Sequence, residues 1–179
     1  MEKIFSLKDN RTLVLREPVL DDALSLIAFH QQVGGETDFL LSDEKGIPGL
    51  DEERERAYLK NTLEAPNTRM YLAFVDGALA GLADVRGAGQ PRLAHNGSVG
   101  IVVRRDHWGL GIGGILMAEL IAFARATGAL SRLELSVRAD NQRAIALYQR
   151  FGFAPCGRMR HQMRIKGNYY DALYMELLL

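Results

Sequence analysis

The sequence predicts an α/β domain on a mixed sheet, antiparallel in its hairpins and parallel where helices intervene. Three observations carry this expectation. Strand-like and helix-like stretches follow one another in the order β, α, α, β, β, β, Gly-rich loop and α, β, α, β, β. Asp76-Gly77 and Lys166-Gly167-Asn168 each join two β-rich runs as hairpin turns do. The 179 residues suffice for one sizeable core and are short for two, since single domains commonly hold ~100–200 residues.

The elements can be justified in order. Thr12 to Arg16 (TLVLR) reads as a strand, Pro18 as a break, and Asp21 or Asp22 as the cap of a helix with Leu24, Ile27 and Ala28 at helical spacing. GGETDFLLSDEKGIPG lacks periodicity and is rich in Gly, Asp and Pro, so it is expected to be a loop, of a length often tied to function. DEERERAYLKNTLEAP starts acidic and ends at Pro66, which marks a solvated helix turning Tyr58, Leu59 and Leu63 inward. MYLAFVDGALAGLADVRG then supplies a hairpin, because both turn positions of Asp76-Gly77 suit positive φ. QPRLAHNG is a turn-rich connection, and SVGIVVRRD is a strand whose apolar centre implies burial on both faces. ILMAELIAFARATG places Leu116, Leu120 and Phe123 on one helical face and stops at Gly128. SRLELSVRA is a further strand, Asp140-Asn141 a helix start, QRAIALYQRF its body and Gly152 its stop. Two long strands around Lys166-Gly167-Asn168 close the chain.

Composition removes several function classes. A hydrophobic share of 47% with 25% charged residues is ordinary for a globular protein. Lys+Arg 22 against Asp+Glu 22 gives no electrostatic reason to expect nucleic acid or an anionic membrane. Cys156 is the single cysteine, so an intrachain disulfide, a Cys-rich zinc site and a CxxC pair are all ruled out, and buried packing is the reading for its side chain. His30, His95, His107 and His161 show no metal-ligand spacing and are read as solvated or capping residues, so no metal is expected. Met1 to Asn10 carries charges throughout, and no stretch nears the ~18 apolar residues of a membrane span, which points to a cytoplasmic protein.

The densest signal is VGIVVRRDHWGLGIGGILMAEL, residues 99–120. A strand running through a Gly-rich loop into a helix exposes backbone N–H groups and a positive helix end, a combination suited to phosphate. Gly109, Gly111 and Gly114 satisfy G-x-G-x-x-G, with Glu134 about 20 residues on, so a nicotinamide-dinucleotide oxidoreductase must be weighed. Against it, Arg104 to Trp108 separate the strand from the first glycine, and Glu134 sits inside LELSV instead of at a strand end. The motif also comes late, with few residues left for a doubly wound sheet. No Lys-Ser or Lys-Thr follows the glycines, which excludes a P-loop. For an isolated cluster, a glycine turn without a ligand is the plain alternative.

The cluster is not isolated. W-G-x-G-I-G after an apolar strand, followed by N-x-x-A-I-x-L-Y-x-x-F-G-F at Asn141 to Phe153, resembles the GNAT superfamily of N-acyltransferases. Trp108 and the final I-x-G-x-Y-x-D-x-x-x-M, Ile165 to Met175, resemble the branch with ribosomal-protein and polyamine acetyltransferases. The resemblance implies a single N-acetyltransferase domain over residues 1–179 with the GNAT-like fold, a central and mostly antiparallel sheet with a splayed parallel pair flanked by helices. It implies acetyl-CoA as acyl donor, in a cleft between the strand ending at Val103 and the strand around Leu135. Trp108, Gly109, Leu110, Gly111, Ile112, Gly113 and Gly114 are then the pyrophosphate loop, where a side chain at Gly111 or Gly113 is expected to crowd the ligand. The superfamily more often has Arg or Gln at Trp108, so Arg104 and Arg105 are candidates for the charge. Asn141 and Ala144 fall in the pantetheine-contacting motif, and an amide among Ile101, Val102 and Val103 is implied as oxyanion donor. Tyr148 is implied to protonate the departing thiolate; a phenol of ordinary pKa ~10 keeps its proton at neutral pH. An apolar-face tyrosine packing beside Ala144 and Ile145 is the structural alternative.

The general base stays open at this stage. Many relatives carry Glu near the position of Ser98, which serine does not replace directly; Glu134, Asp84 or a water chain are the alternatives. The acceptor is a small-molecule or peptide amine, with Asp38, Asp43 and Glu44 in the early loop as candidate attractants. Homodimers are common among the proteins resembled. Ser98 also leaves room for a CoA-binding sensor or interaction domain without turnover.

Overall fold

The computed structural model describes residues 2–179. Its strands are β1 (Lys3–Ser6), β2 (Thr12–Arg16), β3 (Arg69–Val75), β4 (Ala78–Gly87), β5 (Asn96–Val103), β6 (Arg132–Arg138), β7 (Ala154–Ile165) and β8 (Asn168–Leu178). Its helices are α1 (Ala23–Glu36), α2 (Glu52–Glu64), α3 (Ile112–Thr127) and α4 (Gln142–Arg150). The strands form one sheet in the order β1-β2-β3-β4-β5-β6-β8-β7, antiparallel except for β5 beside β6. This mixed sheet with a single parallel pair is the GNAT-type arrangement expected. Both anticipated hairpins form, with positive φ at Asp76, Gly77, Lys166 and Gly167.

Strand alternation divides the core into two layers. Ala83 and Val85 of β4 face the layer that holds Leu116, Met117 and Leu120 of α3 and Ile145 and Tyr148 of α4. Leu82, one residue out of phase, joins Met70 and Leu72 of β3 in facing Leu26, Phe29 and Leu59 of α1 and α2. Leu116 and Leu120 are fully buried, each contributing about 2 kcal/mol of apolar transfer. No helix among the described residues is long and apolar enough to cross a membrane.

Several local expectations are corrected. β1 was hidden in a charged stretch because it is a largely exposed edge held by its pairing with β2. β2 and β3 run antiparallel although two helices separate them. In α1 the inward face is Ala23, Leu26, Phe29 and Val33, while Leu24 is 60% exposed. Phe29 buries more apolar surface than Ala28, and Asp22, bonded to Arg16 and to the Val19 N–H, fixes where the helix begins. α1 also runs on through Gly34 and Gly35. A Cβ at Gly34 would lie 2.0 Å from the Asp43 carbonyl oxygen, so the loop backbone docks where a side chain is missing. In α2, Leu63 is exposed and the polar Glu55 and Thr62 are buried instead. Cys156, expected inside, lies exposed on β7 at a bulge. Among the histidines, His107 is buried with Nδ1 2.6 Å from Asp106, and no metal-binding cluster occurs among the described residues.

Candidate functional site

β5 and β6 pair only at Asn96, Gly97 and Ser98 with Arg132, Leu133 and Glu134, and beyond these residues the two strands part. The parted stretch explains why Ile101, Val102 and Val103 are half-buried and not enclosed on both faces as their apolarity suggested. Alternation then decides which amides face the gap. Arg104 donates its N–H to Ala80 of β4, and Val102 is paired with Leu82, so Val102 also points to β4. Ile101 and Val103 therefore turn their N–H groups into the opening. Val102 is thereby removed from the candidate oxyanion donors; its side chain packs instead in the α1/α2 layer.

At the mouth of the opening the Gly-rich loop runs into α3. The amides of Gly109, Leu110, Gly111, Ile112 and Gly113 donate to no acceptor among the described residues, while those of Gly114 and Ile115 bond Gly111. A helix start necessarily leaves such donors free, and its dipole makes them attractive to an anion. Gly111 holds φ at +97°, a conformation that an L side chain strains to adopt. A Cβ at Gly111 meets open space, whereas one at Gly113 would come within 3.3 Å of Leu147 Cδ2. Gly113 thus accommodates the packing of α4 on α3.

Trp108 donates Nε1–H to the Val103 carbonyl at 2.7 Å and so closes off the end of β5. Arg143 of α4 lies over its ring, 4.4 Å from the centroid. Arg104 pairs with Asp106 at 2.6 Å, whereas Arg105 bonds the Glu36 carboxylate only through its backbone N–H, at 2.7 Å, and its guanidinium has no carboxylate partner among the described residues. Arg138, at the end of β6, donates to the Asp38 carbonyl and stacks between Phe39 and Tyr170. The segment from Glu36 to Phe39 is therefore tethered to both parted strands. It borders a cleft of about 360 Å³ with Arg105, Trp108 and Arg138. Asp38 also lies 3.6 Å from Lys166, while Asp43 and Glu44 pack against Gly34 and Gly35.

The two faces of the opening carry different chemistry. On the α3/α4 side, Asn141 caps α4 by accepting from the Ala144 N–H at 3.2 Å. Ile145 and Tyr148 turn inward one and two helical turns later. The Tyr148 ring is buried, and burial pushes its phenol up to about 12. On the α1/α2 side, Asp84 of β4 stands opposite Gly100 of β5. A Cβ on Gly100 would lie 2.5 Å from Asp84 Oδ1, so the carboxylate occupies the space that this glycine leaves. Burial raises the Asp84 pKa, and Arg86 at 2.9 Å and the Tyr58 hydroxyl at 3.5 Å pull it part of the way back. Glu134 is half-buried and paired with Arg132, and Ser98 lies in register with Arg86 and Glu134.

Sequence reasoning missed Tyr58, Arg86 and Arg143 as neighbours of the site. The readable signal was Gly100: an isolated glycine inside an apolar strand marks a close approach, here by a carboxylate.

Comparison with known proteins agrees with this geometry. A family model described as "Acetyltransferase (GNAT) family" matches residues 37–153. The chain is 30% identical over 112 residues to the L-amino acid N-acetyltransferase AaaT of Escherichia coli K12, across 63% of this chain and 69% of that protein. The crystal structure of a GNAT-family acetyltransferase from Streptococcus pneumoniae superposes with a TM-score of 0.89 at 35% identity, covering 93% of this chain and 99% of that one. The ribosomal-protein-alanine N-acetyltransferase of Brucella melitensis superposes with a TM-score of 0.80 at 25% identity, covering 92% and 99%. With its sheet parted between β5 and β6 and a glycine loop at the mouth, the chain belongs to the GNAT family of acetyltransferases.

Proposed function

We propose that residues 1–179 act as an acetyl-CoA-dependent N-acetyltransferase that transfers acetyl directly to the primary amine of a small molecule or peptide. The observation that carries this reading is the division of chemistry across the β5–β6 opening. A buried carboxylate, Asp84, lies on one face, and a buried phenol, Tyr148, lies on the other.

Each residue then has a part that its surroundings suit. Gly109 to Gly113 offer free amides to a pyrophosphate, and Gly111 keeps the loop in the conformation that aims them. Asn141 and Ala144 border the pantetheine arm where α4 begins. The unpaired N–H groups of Ile101 and Val103 stabilise negative charge on the thioester oxygen as the amine attacks. Asp84 takes the amine proton, directly or through one water; burial makes it a stronger base than an ordinary aspartate, and Arg86 holds it in place. Tyr148, protonated at neutral pH, returns a proton to the departing thiolate. The acceptor approaches along the α1/α2 side, which the tethered Glu36–Phe39 segment borders.

The relatives reported above act, by their names, on L-amino acids and on ribosomal-protein alanine. Free amino acids and peptide N-termini are therefore the first acceptors to try. The test is release of free CoA thiol from acetyl-CoA with amino acids, polyamines, aminoglycosides and peptide N-termini. Turnover with one of these classes supports the reading. Silence across the panel, with acetyl-CoA bound, favours a CoA-binding sensor.

A further inference from the structure

Of the arginines about the glycine loop, Arg104 alone has a carboxylate partner for its guanidinium among the described residues. Arg104 pairs with Asp106, the Arg105 guanidinium reaches the Glu36 main-chain carbonyl at 3.5 Å, and Arg150 stands beside Gly114, away from the Trp108 end of the loop. Arg143 makes no ion pair and no side-chain hydrogen bond with any described residue, yet its guanidinium is fixed 4.4 Å over the Trp108 ring. Trp108 immediately precedes Gly109, where the run of free amides begins. The indole has no donor left for a ligand, because its Nε1–H is taken by Val103.

The position is costly for the protein alone. A cation in the first turn of α4 opposes the helix dipole, and the side chain gives up hydration against the indole, which lowers its pKa. An exposed cation–π contact returns little of that cost. An anion at the guanidinium edge relieves both penalties, and the planar fork of arginine suits the paired oxygens of a phosphate. Stacking on Trp108 holds the plane of the fork while leaving its edge free.

We propose that Arg143, oriented by Trp108, binds a phosphate oxygen of the coenzyme from the α4 side and supplies positive charge that Arg104, already paired with Asp106, does not. This rests on the reading of the protein as an acetyl-CoA-dependent enzyme. It assigns to the neutral Trp108 a positioning role, acting through Arg143, and makes the phosphate site a joint product of the α3 loop and α4. The ligand chemistry is a phosphate ester or diester, which the coenzyme presents both as its pyrophosphate and as its ribose 3′-phosphate.

Calorimetric titrations of the full chain separate these sources. The probes are acetyl-CoA, acetyl-dephospho-CoA and S-acetylpantetheine, against wild type, Arg143→Ala, Arg143→Lys and Trp108→Leu. Arg143→Ala is expected to weaken acetyl-CoA about tenfold or more, the size of one charge-assisted hydrogen bond, and to leave S-acetylpantetheine unchanged. Arg143→Lys restores part of the affinity, since it returns the charge without the stacked plane. Trp108→Leu reproduces most of the Arg143→Ala loss. If the loss persists with acetyl-dephospho-CoA the contact is to the pyrophosphate, and if it vanishes the contact is to the 3′-phosphate; both outcomes support the proposal. An unchanged acetyl-CoA affinity in Arg143→Ala overturns it, as does an equal loss with S-acetylpantetheine. Failure of the wild type to bind acetyl-CoA sinks the functional reading itself, whereas binding that ignores Arg143 sinks only this inference.

Discussion

Gly100→Ala adds a single methyl group where β5 passes beneath Asp84. The new Cβ would lie 2.5 Å from Asp84 Oδ1, and ordinary contact begins at 3.4 Å, so the carboxylate must retreat by about 0.9 Å (3.4 − 2.5). The obstructing atom is the tip of a side chain, so the chain folds and only the carboxylate moves. Misplacing a reacting group by ~1 Å costs on the order of 10²-fold in rate. The expected result is therefore a kcat/KM lower by about 10²-fold, with acetyl-CoA affinity and Tm close to wild type. Steady-state release of CoA thiol with the best acceptor measures the first, calorimetry the second and thermal denaturation the third. The cause is isolated by a double-mutant cycle with Asp84→Asn. If the methyl group acts through the carboxylate, adding Gly100→Ala to Asp84→Asn costs little more. Full activity in Gly100→Ala, or penalties that multiply in the double variant, refutes Asp84 as the base.

Asp84→Asn alone is expected to lower kcat by about 10²–10⁴-fold and to remove the acidic limb of the kcat/KM profile, which lies above the usual aspartate range because burial raises this group. A raised pKa contributes stability below the unfolded value and loses it as pH rises through the folded one, so at neutral pH the Asn variant should melt no lower than wild type; a clear drop in Tm would mark Asp84 as structural. Tyr148→Phe keeps the buried ring and removes the proton donor, so acetyl-CoA binds as before while kcat falls; unchanged turnover takes Tyr148 out of the chemistry. Asp22→Asn breaks the paired bonds to Arg16 at 2.7 Å and weakens the Val19 contact, costing about 2 kcal/mol in denaturant titrations at neutral pH. Burial opposes the Asp22 charge, but Arg16 and the Val19 N–H outweigh it and hold the pKa low, so this loss must shrink as pH falls through that depressed value.

What the sequence revealed and what it hid follow from the range of the forces involved. The glycine loop, the Asn141 cap and both hairpin turns were legible because each depends on residues a few positions apart. The rotation of α1 was not, because it is set by a tertiary contact between Asp22 and Arg16 and by loop backbone docking at Gly34. β1 escaped notice because an exposed edge strand owes its existence to ladder hydrogen bonds and leaves little apolar signature. In the site, Tyr148 and the loop came from motif spacing. The position of Asp84 over Gly100 required knowing the register of β4 on β5, a pairing of residues 16 positions apart in sequence (100 − 84). Register also removed Val102 from the donors, a distinction that three consecutive apolar residues do not encode. Arg143 was hidden for the same reason, since its partner Trp108 lies on another element.

The central claim is that main-chain amides of the opening and its loop hold an acetyl-CoA thioester. An amide-resolved NMR titration with acetyl-CoA tests it most directly, with NAD as the control ligand. The account predicts that Ile101, Val103 and Gly109 to Gly113 shift together and saturably with acetyl-CoA, that Val102 responds least along that strand, and that NAD moves none of them. Shifts confined to another part of the molecule, or a response to NAD and not to acetyl-CoA, would contradict it.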